Sequence, residues 1–398
     1  MGRWGRVGLA ILSLPVAATL VVALAPPALA VGETVTLDVA PLAVTFGNTV
    51  DASGATDPAT AGQTIQIIDA DEPATVLAEA TTDAAGAYAV EVASPQQNTN
   101  LQAVWVETGA VSDVVLLKVR PVLIARLTKP RLFDDVKVKG PIRPRQPGDQ
   151  VTVTLFHAGK FEARKTVDLI DGGRRYRATF RVKETGTYRG RARFDDAEHL
   201  ADVDWTAKRK APLPPKLSMG SNGIYVKLLE QRLRFLDYHV PPPNMKFDHR
   251  TADAVLAFHK VQRMNRVKSV SGKTWKRLQH PIRPQPRNKK RPFHIEIDQS
   301  RQVLYVIRKS EIDEIVHTST GAGGATHDGT FYVHRKIAGY SPNNLYYPSY
   351  FDGQRAVHGW PEVPAYPASH GCARVPYWTA IWLFHLMPLG TQVRVYHS

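Results

Sequence analysis

A chain of 398 residues is about three typical domains long, so it folds around several cores rather than one. Hydrophobic residues make up 43% and charged residues 22%, which excludes a wholly disordered or collagen-like chain. The only stretch apolar enough to meet a bilayer stands at the very start, so a polytopic membrane protein is excluded too.

That start has the grammar of a secretory signal. Arg3 and Arg6 form a basic segment, residues 7–24 are apolar, and Ala28-Leu29-Ala30 is a small-x-small cleavage pattern. The expectation is a signal peptide over residues 1–30 and an exported body with no transmembrane segment after cleavage; an uncleaved anchor is the alternative. An exported chain with a single cysteine, Cys372, has no intramolecular disulfide, and its thiol is either reactive or buried and inert.

The net charge of +15 is uneven. Residues 31–120 hold twelve acidic side chains against Lys118 and Arg120, and the body beyond them carries +23. A basic exported body implies an anionic neighbour, such as an acidic wall polymer. No nucleic-acid motif accompanies the charge, so nucleic acid is not expected as a partner.

From Gly32 to about Asp204 short runs alternate with period two and end at turn residues, as in Gln63-Thr64-Ile65-Gln66-Ile67-Ile68 and Val151-Thr152-Val153-Thr154-Leu155. They repeat: Gly54 and Gly62 correspond to Gly140 and Gly148, 86 residues on in both cases. Gly86-Ala87-Tyr88 is echoed by Gly173 and Tyr176, and Trp105 by Phe194. Two units of this length, 31–120 and 121–207, resemble bacterial immunoglobulin-like sandwiches, whose plainest role is spacing.

A Pro-containing linker at 208–216 precedes a helical block at 217–280. Val226, Leu229, Leu233 and Leu236 keep helical spacing, as do Ala254, Val255, Phe258 and Val261, with Thr251 as N-cap of the second helix and Trp275 and Leu278 in a short third. With Gly220, Gly223, Phe247, Gly272 and Thr274, these positions resemble the peptidoglycan-binding three-helix domain, although His259 stands where that family has Gln. A second linker, 281–292, holds four prolines and five basic residues and reads as a stiff hinge.

The last block, 293–398, returns to strand grammar and carries the chemistry. Cys372 stands two residues after His370 and fourteen after His358. An adjacent imidazole can hold a thiol as the nucleophilic thiolate, and Gly371 permits a sharp turn with backbone amides near a reacting carbonyl. A zinc site is disfavoured, because no second Cys or suitably spaced carboxylate completes a ligand set. On the residues alone, a buried inert thiol remains open.

Ser369-His370-Gly371-Cys372-Ala373-Arg374, with His358-Gly359 upstream, resembles the signature of the L,D-transpeptidase catalytic domain. Ser319-Thr320-Gly321, Thr326 with Gly329 and Phe331, and Leu389-Gly390-Thr391 support it, with His327 where the family has Pro. The resemblance implies a multidomain, mainly β protein that needs no metal or cofactor and joins peptidoglycan stem peptides in the wall. It implies Cys372 as nucleophile, His358 as base, Gly359 as the carbonyl orienting it, and His370 at the oxyanion site. It also implies substrate contacts at Arg374, Ser369, Gly371, Gly353, Tyr347 and Trp360, and acylation by carbapenem β-lactams. Use of water in place of the acceptor amine would make an L,D-carboxypeptidase; loss of donor binding would leave a non-catalytic wall-binding protein.

Overall fold

The computed structural model describes residues 32–398 except 147, 196–199 and 201. The leader expected at residues 1–30 lies outside the described residues. Among the described residues the fold is mainly β with four α-helices. Contacts divide the described residues into two units: those up to 122 with those within 195–203, and those within 123–194 with 204–398. Among the described residues no helix is long and apolar enough to cross a membrane.

In the first unit Thr49–Asp57 pairs antiparallel with Ala87–Ala93, and Thr64–Asp69 pairs with Thr99–Trp105 in a second sheet. In the second unit Asp135–Arg143 pairs with Arg175–Arg181, and Gln150–His157 with Gly186–Phe194. The repeat seen in the sequence has a physical core. Tyr88 Oη donates to Thr36 O at 2.5 Å, and Tyr176 Oη donates to Ile124 O at 2.9 Å. Opposite each tyrosine in register stands Gly54 or Gly140, where a Cβ would fall 2.0 Å from Thr36 O or 1.6 Å from Ile124 O. Only glycine lets the tyrosine and the crossing carbonyl meet.

The expected linker begins late, because the strand Val203–Ala211 continues through its first four residues. Three helices follow: α1 (Ile224–Phe235), α2 (His249–Val261) and α3 (Gly272–Gln279). The N-cap of α2 is Asp248, not Thr251; its carboxylate accepts from the Arg250 and Thr251 amides. Thr251 stands three residues further in, and its hydroxyl donates instead to buried Glu230 at 2.8 Å. Ser271 and Thr274 form a reciprocal capping box on α3. His259 is buried and bonds Val267 O at 2.7 Å and Thr274 Oγ1 at 3.0 Å, tying α2 to α3.

The last block holds nine strands: β1 (Phe293–Asp298), β2 (Val303–Arg308), β3 (Glu311–His317), β4 (Gly329–Tyr332), β5 (Arg335–Lys336), β6 (Tyr346–Asp352), β7 (Arg355–Trp360), β8 (Ala373–Pro376) and β9 (Gln392–Tyr396). One sheet has the order β3-β2-β1-β9-β4, the other β5-β6-β7-β8. Helix α4 (Tyr377–Leu386) packs on β6 and β7. Ile295, Ile297, Val357, Ala373, Val375, Leu383 and Val393 belong to the core they share.

The helical block is not a separate bead. Phe247, Phe258, Val261 and Trp275 form one continuous core with Val303, Tyr305, Ile307 and Ile315 of the sheet and with Leu132 and Phe133 of the second sandwich. The linker at 281–292 is not a free hinge either. The Ile282 amide donates to Gln262 at 2.7 Å, and the amides of Arg287 and Asn288 donate to buried Glu296 at 2.9 and 2.8 Å. Burial pushes the Glu296 carboxyl up, but the bonds from His294, Arg287 and Asn288 hold it below its ordinary value. A buried carboxylate needs those donors, and the linker backbone supplies two of them.

Candidate active site

Strands β7 and β8 run parallel, with Val357 opposite Ala373, His358 opposite Arg374 and Trp360 opposite Pro376. Side chains alternate across a sheet, so paired residues share a face. Val357, Ala373 and Val375 turn into the core. His358, Trp360 and Arg374 therefore share the opposite face, and Cys372 lies one step before β8 on that side.

The site side chains are bound to one another. The imidazole of His358 is 2% exposed, and its Nδ1 lies 2.9 Å from Gly359 O. A carbonyl only accepts, so Nδ1 carries the proton and Nε2 keeps its lone pair. The indole of Trp360 meets that imidazole edge-on at 5.6 Å, and the Arg374 guanidinium lies 4.8 Å over the same indole. Arg374 Nε is buried without a hydrogen-bond partner. Gly359 is required by packing as well as by its carbonyl. A Cβ there would lie 2.8 Å from Ala380 and 2.9 Å from both Tyr346 and Tyr377.

The turn before Cys372 is stitched from within. Gly371 has φ +129, and a Cβ on it would meet Ala325 O and Arg355 Nε at 2.8 Å. Its carbonyl accepts from Thr326 Oγ1 at 2.8 Å, and its amide donates to Ser369 Oγ at 3.1 Å. Ser369 Oγ in turn donates to Cys372 O at 2.5 Å. The segment Ser319-Thr320-Gly321 clamps the same turn through its backbone: Thr320 O accepts from Ser369, Ser369 O accepts from Ala322, and Ser319 exchanges two bonds with Arg374.

The resting electrostatics differ from the preformed thiolate expected of an adjacent imidazole. Burial pushes the Cys372 thiol up, and the Ala356 backbone and the charges of Arg374 and Arg355 only partly oppose it. Burial pushes His358 down to about 4; its bond to Gly359 opposes this and the Arg374 charge adds to it. Near neutral pH the pair is thiol and neutral imidazole, so a base is present but no ion pair.

The other expected residues fall in three groups. Gly353 has φ +53 and sits exposed in the turn between β6 and β7, next to Gln354, whose carbonyl lies 3.9 Å from Cys372 Sγ. His370 is exposed and makes no hydrogen bond to another described residue through its ring. Ser369 offers no free hydroxyl, and Tyr347 is held by its ring. The Ser369 hydroxyl is spent inside the turn, and the Tyr347 ring packs edge-on against Tyr346 at 4.8 Å and Phe384 at 5.2 Å.

Arg355 was not anticipated. It donates to Ala325 O at 2.7 Å, Asp352 at 3.2 Å and His327 Nε2 at 2.9 Å, and His327 Nδ1 lies 3.0 Å from the same Asp352 carboxylate. This cluster fastens the β6–β7 turn beside Gly371. The only hint in the sequence was an arginine three residues before His358, which spacing alone does not distinguish from a solvated charge.

Residues 292–395 match the family model of the L,D-transpeptidase catalytic domain. An L,D-transpeptidase structure from Xylanimonas cellulosilytica is 32% identical over 46% of this chain and 99% of that one, with a TM-score of 0.44. One from Stackebrandtia nassauensis is 23% identical over 45% of this chain and 94% of that one, with a TM-score of 0.30. One from Mycobacterium tuberculosis is 17% identical over 26% and 57%, with a TM-score of 0.25. No curated protein matches the chain.

Proposed function

Through residues 292–395 this chain belongs to the L,D-transpeptidases, and from that premise we propose that it is an exported enzyme that cross-links peptidoglycan through a Cys372 thioester. The observation that carries the mechanism is the His358 imidazole. Its Nδ1–H is engaged by Gly359 O, so Nε2 is bare on the face shared with the Cys372 turn.

Cys372 Sγ attacks the carbonyl carbon at the third stem residue as His358 Nε2 takes the thiol proton. The amide bond to the terminal D-residue breaks, and the imidazolium returns the proton to the leaving amine. A thioester remains. The side-chain amine of a neighbouring stem's third residue then attacks it and gives its proton to His358, and the C–S bond breaks to restore the thiol. Because thiol and imidazole are both neutral at rest, proton transfer accompanies attack rather than preceding it.

The amides around Gly371 and Cys372, with His370 beside them, receive the oxyanion. Arg374 answers the stem carboxylate: no carboxylate among the described residues pairs with it, and a guanidinium with a free buried Nε is a ready partner for one. Trp360 walls the cleft and Gly353 shapes its rim. The basic body and the helical block are suited to an anionic glycan wall. A strained carbapenem carbonyl would acylate Cys372 by the same first step.

Mass spectrometry of the mature chain with disaccharide-tetrapeptide, against Cys372→Ala, tests this. Dimers joined between third residues, absent from the variant, are the expected result. Cys372-dependent tripeptide without dimer identifies a carboxypeptidase, and no product from a chain that still binds wall sacculi overturns the enzyme reading.

A further inference from the structure

Helix α2 sends one charged side chain into the catalytic sheet. Lys260 is 2% exposed, and its Nζ lies 2.9 Å from Gln302 O, 2.8 Å from Thr318 O and 2.7 Å from His317 Nδ1. His317 Nε2 lies 2.9 Å from Val363 O, which only accepts, so the ring proton is on Nε2 and Nδ1 is bare. All three neighbours of Nζ are therefore acceptors, and an ammonium has three protons to give them. Burial pushes the Lys260 amine well below its ordinary value, but only the ammonium, with three protons to give, satisfies all three acceptors of the cage.

The cage leads to the site by two routes. Thr318 Oγ1 donates to Arg374 O at 2.7 Å, and Ser319 exchanges backbone bonds with Arg374. His317 holds Val363, in the 361–368 segment that joins the His358 strand to the Cys372 turn. That segment is gripped twice more. Arg266, just beyond α2, donates to Ala365 O at 2.8 Å while its other nitrogen bonds Ser300 O, and Ser319 Oγ donates to Tyr366 O at 2.7 Å.

We propose that the helical block is a working part of the catalytic centre: Lys260, acting through His317, and Arg266 are positioning residues that clamp the 361–368 segment and so set Cys372 against His358. The segment is too short to pack a core of its own, and its carbonyls need donors that the catalytic sheet does not supply alone. This rests on the proposed cysteine chemistry for its kinetic readout, but not for its structural one.

The test uses the full chain with Lys260→Met, His317→Asn and Arg266→Ala. His317→Asn keeps an acceptor for Lys260 and loses the bond to Val363; Arg266 is exposed, so Arg266→Ala folds. Leu229→Ala, a cavity in α1 that removes no hydrogen bond of the clamp, is the control for lost stability. Well below each melting temperature, the donor acylation rate constant should fall about tenfold in Lys260→Met and about threefold in the other two, with KM changing less than about twofold. Leu229→Ala should lower Tm and leave the rate constant alone. Alkylation of Cys372 by a small neutral reagent should be unchanged throughout. Exchange of the Ala368 and Ser369 amides, which bond Thr320 O, should quicken in the clamp variants only.

Wild-type rate constants and unchanged amide exchange in the clamp variants overturn the proposal. If Lys260→Met does not fold, Arg266→Ala and His317→Asn decide it by the same criteria. If the wild-type chain acylates no donor, the functional reading fails, and amide exchange alone decides whether the clamp exists.

Discussion

His358 and Arg374 face each other as register partners on parallel strands β7 and β8, joined through Trp360, whose indole touches the imidazole at 5.6 Å and lies 4.8 Å under the guanidinium. This relationship puts the neutral imidazole on one face with a guanidinium that no carboxylate among the described residues pairs with. The same cation adds to the burial that keeps the imidazole uncharged. Its consequence for the proposed chemistry is that the His358 imidazole stays neutral in mild acid while Cys372 rests as a thiol.

Thiol reactivity and acylation should therefore respond differently to pH. Alkylation of free Cys372 should be slow at neutral pH and still rising above pH 9, because burial pushes its pKa up from about that value. Donor acylation should stay level down to about pH 5, since His358 protonates only near 4. His358→Ala should cut acylation by roughly 10²- to 10⁴-fold. A thiolate plateau in the alkylation rate near pH 6 would contradict the neutral pair.

Arg374 is expected to act on donor binding. Arg374→Met should raise KM for a donor with a free carboxylate about tenfold and leave kcat within a few-fold. Arg374→Lys should restore little, because an ammonium cannot reproduce the planar stacking on Trp360. Steady-state kinetics with carboxylate and amide forms of the donor separate the two effects. Equal losses on both forms would remove the carboxylate contact.

The turn should not tolerate a side chain at Gly371. Gly371→Ala meets both a positive φ and contacts of 2.8 Å with Ala325 O and Arg355, at a cost of about 1–3 kcal/mol. Acylation should be lost while the chain still melts cooperatively. Thermal denaturation beside an activity assay checks this. An active Gly371→Ala enzyme would show that the amides there do not need this geometry.

Acid should unfold the second unit early. The folded pKa of His358 lies near 4 and the unfolded value near 6.5, so the unfolded chain takes the proton first as pH falls. Stability is intact above about pH 6.5 and is lost toward pH 4, by about 3 kcal/mol for this residue. Burial pushes His317 and His259 in the same direction. Denaturant midpoints at pH 7 and pH 5 measure the loss, and His358→Gln should flatten it.

Local chemistry made much of this protein legible as a sequence. Period-two runs, glycines at fixed offsets and helical spacing of apolar residues follow from backbone geometry over short spans, and they located the sandwich strands, the helices and the repeat. The Ser369–Arg374 motif and His358 likewise pointed to the candidate site, because a thiol near an imidazole is rare and Gly371 has few other reasons to stand there. What tertiary structure decided depends on burial and on partners far apart in the chain. Asp248 rather than Thr251 caps α2, because the Thr251 hydroxyl is claimed by Glu230. The linker at 281–292 is tied down by Glu296, which reads in the sequence as an ordinary strand carboxylate. Ser369 and Tyr347 are taken up by the turn and by α4, and the thiol is raised rather than lowered. Lys260 is the clearest case. In the sequence it is a lysine on a helix, and only the closing of α2 over the sheet strips its water and gives it three acceptors instead.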